Sequence, residues 1–159
     1  MTENLRTEVP HAMTYRSSVS TDAEANAQTY GYLYTWHVAA GGTDTPQRIN
    51  GYVRGICPNG WHLPTTAEIN VLRTHSAESL SSEDLWVNQF GTNASGFNAR
   101  PAGFYNAALD RFEALHSETW FHGDTSSSAF GLQYHCCTAP FDKQSQQNAF
   151  SVRCVKDCE

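Results

Sequence analysis

Twelve consecutive residues, Cys57-Pro-Asn-Gly-Trp-His-Leu-Pro-Thr-Thr-Ala-Glu68, constrain the fold more than any other part of the chain. Pro58-Asn59-Gly60 is a turn signal. Trp61-His62-Leu63 is a short strand-like step. Pro64 and Thr65 then open a helix, with Thr65 as N-cap and Glu68 three residues on, the spacing of a capping box. The helix is expected to run to about His75 and to bury Ile69 and Leu72. Turn, strand step and helix start therefore follow one another with no room for a long repetitive element.

The remainder reads in shorter pieces. Residues 1–28 are polar and weakly patterned, and read as an N-terminal arm or linker ahead of a domain spanning 29–159. Tyr30 to Ala40 is aromatic-rich and fits either a strand or a short buried helix. Tyr30, Tyr32, Tyr34 and Trp36 alternate at period two, which places them on one face. That face packs on the core or stacks against a sugar, with the core reading favoured. Thr43 to Asn50 reads as a polar loop, and Ser76 to Ser95 as a structured loop with one helical turn. Strand candidates follow at Phe97–Phe104, Thr119–His122, Phe130–Cys136 and Phe150–Val155. A mixed beginning followed by antiparallel strands is an α+β order.

The charged fraction is 16%, well below the usual quarter. Net charge is −6 and the basic residues are scattered, which argues against a nucleic-acid partner. No apolar run has the length of a membrane span. The opening Met-Thr-Glu-Asn-Leu-Arg has no hydrophobic stretch of the kind an export signal carries. The five cysteines, Cys57, Cys136, Cys137, Cys154 and Cys158, form no C-x-x-C pair, and one lies far upstream of the others. That layout favours long-range staples in an oxidising compartment over a redox motif or zinc ribbon. The seven histidines form no H-x-x-x-H helix, and no metal or cofactor is expected. His122 and Asp124 are close enough in sequence to share a cation, although a plain loop is the simpler reading.

Four blocks in order resemble the Fibrobacter succinogenes major paralogous domain family: Tyr30-Gly-Tyr-Leu-Tyr-Thr-Trp36, Arg54-Gly-Ile-Cys-Pro-Asn-Gly-Trp-His-Leu-Pro-Thr65, Gly96-Phe-Asn-Ala-Arg-Pro-Ala-Gly-Phe104 and Phe150-Ser-Val-Arg-Cys-Val-Lys-Asp157. The resemblance implies a C-type-lectin-like fold, distantly similar to formylglycine-generating enzymes, with short antiparallel sheets, one or two helices and long loops. Members occur in exported or surface proteins, so an extracellular or cell-surface location is implied. The chain departs from the family at Trp120-Phe-His-Gly-Asp-Thr125 and at the vicinal Cys136-Cys137.

The same resemblance brings Cys57 and Cys154 together as a disulfide. Cys158 is then expected to pair with Cys136 or, as preferred here, Cys137. The calcium-binding strings of sugar-binding lectins, Glu-Pro-Asn or Gln-Pro-Asp with Trp-Asn-Asp, do not occur. Formylglycine-type oxidation is disfavoured, because Cys154 is expected in the staple and Cys158 sits at the chain end.

The expected function is a non-catalytic recognition or adhesion domain that binds a protein or glycan through its C-terminal loops. Phe121, His122, Asp124, Tyr134 and Gln144 are the expected ligand-binding residues, and Trp120 is assigned to the core. Rigid aromatics interleaved with adaptable polar groups are the chemistry of a paratope. Alternatives are a hypervariable binder of a diversity-generating retroelement or phage, and a self-assembling filament or surface-layer subunit joined through its N-terminal arm.

Overall fold

The structure is a computed structural model that describes residues 3–16, 22–134, 138–140 and 146–158, with 138–140 as backbone only. The described residues form four short α-helices, a 3-10 turn at Val87–Gln89 and short, mainly antiparallel strands. The helices are α1 (Ala23–Tyr30), α2 (Trp36–Ala39), α3 (Thr66–Leu72) and α4 (Ala77–Leu80). The strands are β1 (Tyr34–Thr35), β2 (Arg48–Ile49), β3 (Tyr52–Val53), β4 (Trp61–His62), β5 (Phe104–Asn106), β6 (Arg111–Glu113), β7 (Glu118–His122), β8 (Ala129–Gln133), β9 (Thr138–Pro140), β10 (Ala149–Phe150) and β11 (Val155–Lys156).

One sheet runs β1-β10-β5-β6 and a second β7-β8-β9; β4 pairs β11 and β2 pairs β3. The two larger sheets are stitched together by parallel bridges, Gly103 to Thr119 and Phe121 to Ser151. β7 is therefore covered on both faces. Trp120 stacks on Phe150 at 5.9 Å, while Phe121 stacks on Phe130 at 6.3 Å. Trp120 lies directly across from Gly131. A Cβ on Gly131 would sit 2.6 Å from the indole ring, so the missing side chain is what lets the indole lie flat.

The capping box is formed in full: Thr65 Oγ1 accepts from Glu68 N, and Thr65 N donates to Glu68 Oε2 at 2.8 Å. α3 stops at Leu72, short of the expected His75. Thr74 and His75 donate to carbonyls three residues back, Val71 and Leu72, and so tighten the end of the helix. The tyrosine segment is both of the expected things, β1 running straight into α2. Tyr34 and Trp36, and Tyr30 at the end of α1, are buried as the core reading requires, while Tyr32, expected on the same face, is only half-buried.

Three expectations need correction. The strand expected at Phe97–Phe104 is irregular until Phe104, because Asn98 takes a positive φ of 56° and Pro101 removes a backbone donor. The polar loop leading to Asn50 instead ends in a hairpin, β2–β3. Its Asn50-Gly51 turn has φ of 53° and 87°, the geometry that Asn-Gly favours. The described parts of residues 1–28, read as an arm or linker, pack on the rest of the chain. Leu5 is buried and its N–H donates to Val152 O at 2.8 Å. Met13 and Leu33 exchange backbone bonds at 2.7 and 2.8 Å. Asp22 caps α1 by accepting from Ala25 N, so this segment behaves as structure and not as tether.

The disulfide Cys57–Cys154 is formed and spans 97 residues of sequence. It lies inside a core of Leu5, Tyr34, Val53, Leu63 and Val152. A second core, of Ile69, Leu80, Trp86, Phe121, Phe130 and Leu132, lies between α3, α4 and the β7–β8 pair. No described helix is long and apolar enough to cross a membrane.

Candidate functional site

An open-mouthed cavity of about 470 Å³ lies between these cores. α3 supplies Glu68, Ile69, Val71 and Leu72; β7 and β8 supply Phe121, His122 and Phe130. Trp61, Phe97 and the segment from Arg153 to Lys156 complete the wall. The volume falls in the range of small-molecule sites, and the lining is mainly apolar and aromatic, as such sites are.

Each wall residue is there for a local reason. The capping box fixes where α3 begins, which turns Ile69 inward and leaves Val71 exposed at the mouth. Phe97 sits edge-on to Phe121 at 5.7 Å and to Phe130 at 6.5 Å. The β4–β11 pairing, Lys156 to Trp61 and Val155 to His62, holds the C-terminal segment against the turn before α3.

The polar groups of the wall have distinct fates. Glu68 accepts from Thr65 N, Thr65 Oγ1 and His62 Nε2. Burial raises its pKa, but these bonds outweigh that and hold the carboxyl below its ordinary range. His122 is buried and its Nε2–H donates to Tyr34 O at 2.7 Å. Burial pushes the pKa of its ring down to about 4, so at neutral pH it is an uncharged structural donor. Arg153 is 3% exposed. Its Nε donates to Asn4 Oδ1 and its Nη2 to Asn98 O, both at 2.8 Å, and its Nη1 donates to Phe97 O. The guanidinium also lies 4.5 Å from the ring centre of Phe97 and 5.3 Å from that of Phe121.

The residues expected to meet a ligand are dispersed. Phe121 and His122 line the cavity, yet both are core residues and not loop anchors. Asp124 is 6% exposed, and its Oδ2 is bridged by Arg48 Nη1 at 2.7 Å. His122 and Asp124 thus face different partners, and among the described residues no cluster of His, Cys, Asp and Glu could hold a metal ion. Tyr134 is half-buried, packs edge-on to Phe90 at 5.6 Å and takes a bond from Asn88 Nδ2. Gln144, Cys136 and Cys137 lie outside the described residues. Cys158 is a free, exposed thiol, and the expected pairing with Cys136 or Cys137 falls on residues outside those described.

Sequence reasoning missed Arg153 as a site residue. Its signal was a lone cation inside the otherwise apolar Val152-Arg-Cys-Val155 stretch, where alternation turns it away from the disulfide core. The sequence marks Phe97 and Phe130 only as strand residues, because period-two patterning cannot say which face of a sheet borders a cavity.

The family model for the Fibrobacter succinogenes major domain matches residues 1–156 and so includes the N-terminal segment. No curated protein and no solved structure matches the chain.

Proposed function

The chain belongs to the Fibrobacter succinogenes major domain family, and from that premise we propose that it is a non-catalytic recognition domain of an extracellular or surface protein. It holds the apolar part of its ligand in the cavity beneath α3. The observation that carries this reading is the cavity itself, about 470 Å³ of mainly apolar and aromatic wall on a disulfide-braced frame. The proposed framework is C-type-lectin-like: short antiparallel pairs, few helices and one long-range staple support it. The ligand-facing positions move accordingly from the C-terminal loops to the wall of the cavity.

The use of the titratable groups supports binding over chemistry. His62 has Nδ1 on Asp157 at 2.7 Å and Nε2 on Glu68 at 3.1 Å, while Tyr52 stacks on its ring at 3.9 Å. His116 Nδ1 is bonded to Leu85 O, and His122 to Tyr34 O. Each ring joins distant segments of chain, which is work for a scaffold.

Burying on the order of 200 Å² of ligand surface at ~25 cal/mol per Å² contributes about 5 kcal/mol, a sub-millimolar affinity. The neutral fluorophore N-phenyl-1-naphthylamine therefore tests the reading at accessible concentrations. The expected result is saturable, one-to-one fluorescence enhancement that Val71→Trp, placed at the exposed mouth, abolishes without lowering Tm. Enhancement indifferent to Val71→Trp, or none at all, contradicts it.

A further inference from the structure

Arg153 is a buried cation whose charge is balanced by neutral groups alone. Its three acceptors are an amide oxygen, Asn4 Oδ1, and the carbonyls of Phe97 and Asn98. Among the described residues no carboxylate lies within ion-pair distance of it. Glu3 attracts it only from farther away and is itself bridged to Arg6, while the nearby Arg100 adds charge of the same sign. Burial and Arg100 lower its pKa to about 9, so it stays protonated at neutral pH.

A guanidinium has five N–H donors, and three bonds leave one on each terminal nitrogen. Leaving a buried charge without a counter-charge is costly, and a ligand anion removes that cost. Of the other charges on the cavity wall, Lys156 is exposed and positive. The one carboxylate there, Glu68, is committed to the helix cap and to His62. The wall is thus apolar with a net positive character.

We infer that Arg153 is the anion-binding group of this cavity, and that the ligand is a small organic acid carrying its carboxylate on an apolar body. This rests on the cavity being the ligand site, as proposed above. The apolar body lies against Ile69, Leu72, Phe97 and Phe121, and the carboxylate takes the spare guanidinium N–H donors. Charge-assisted bonds of this kind are about twice as strong as neutral ones, so the head group decides which apolar molecule is held.

The test displaces N-phenyl-1-naphthylamine from the wild-type protein at pH 7.5 with octanoate, octan-1-ol and octylamine, which share one chain length. Octanoate is expected to displace at a concentration at least tenfold lower than octan-1-ol, with octylamine the weakest. The Arg153 Nε–Hε NMR signal is expected to move with octanoate and to stay still with the alcohol. Arg153→Gln is expected to abolish the preference for octanoate. Arg153 ties Asn4 to the Phe97-Asn98 turn, so if that variant does not fold, the wild-type series decides alone. Equal displacement by acid and alcohol overturns the inference and leaves the cavity reading standing. A fluorophore that never binds, with no movement of the Arg153 signal in octanoate, removes both.

Discussion

His122 Nε2–H donates to the carbonyl oxygen of Tyr34 at 2.7 Å, joining segments 88 residues apart. The bond ties β7 to β1 and fixes the tautomer, because a carbonyl can only accept. It also carries a pH dependence. Burial lowers the pKa of the ring from the usual 6.5 to about 4, with the Tyr34 bond opposing only in part. Between these values the unfolded chain binds a proton that the folded chain refuses. Stability is therefore expected to fall as pH drops from 6.5 towards 4, by about 3 kcal/mol in all. Urea unfolding across this window measures it. His122→Gln keeps a donor and should flatten the slope there, and an unchanged slope would assign the acid sensitivity to other groups. The depressed carboxyl of Glu68 acts at lower pH, where its protonation releases the capping box, and that loss should persist in the variant.

The Cys57–Cys154 staple closes a span of 97 residues. In the chain-entropy model a loop of that length stabilises by ~4–5 kcal/mol. Cys57→Ser and Cys154→Ser are each expected to cost about 2–5 kcal/mol, with the double variant no worse than the poorer single one. Additive losses in chemical denaturation would mean that the two thiols act independently.

Gly131 faces the Trp120 indole, whose stacking on Phe150 blocks its retreat. Gly131→Ala is expected to destabilise by ~1–3 kcal/mol through overpacking. A second change, Trp120→Leu, should make the alanine tolerable. A neutral Gly131→Ala in the wild-type background would mean that the Trp120 indole does not lie against Gly131.

Asp124 serves the scaffold. Arg48 bridges its Oδ2 at 2.7 Å, and Asp124 N–H donates to Pro64 O at 2.9 Å. Its other oxygen, Oδ1, is buried with no hydrogen-bond partner. Arg48 is itself part-exposed, so solvent weakens the pair, and Arg48→Ala is expected to cost only ~1–2 kcal/mol. Thermal unfolding at low and high salt checks this: the loss should shrink as salt rises. A variant as stable as wild type at low salt would show that the bridge contributes nothing.

The start of α3 and the burial of Ile69 were legible in the sequence because both are local. Thr65 and Glu68 bond within one turn, and a single apolar side chain fixes the inward face. Asn50-Gly51 is equally local, but the strands it joins, Arg48-Ile49 and Tyr52-Val53, are two residues each, too short to show an alternation that would mark a hairpin. The family blocks led to the Cys57–Cys154 pair. The site was harder to read. Phe121 and His122 are neighbours in sequence, so alternation gives them opposite faces, yet both are buried because the β1-β10-β5-β6 sheet covers one side of β7 and α3 the other. Two-sided burial is a tertiary fact with no period-two signature. Arg153 was missed for the same reason, since its partners Asn4, Phe97 and Asn98 lie 149, 56 and 55 residues away.

The central claim is that the space beneath α3 is where this domain meets its ligand, and methyl-resolved NMR tests it most directly. Neutral octan-1-ol is titrated into the full chain with Ile, Leu and Val methyls labelled. The expected result is saturable movement of the Ile69, Leu72 and Val155 signals, with Leu5, Leu33 and Val53 in the other cores unmoved. Saturable movement centred on the Ile49–Tyr52 hairpin, or no saturable movement at any methyl, would contradict it.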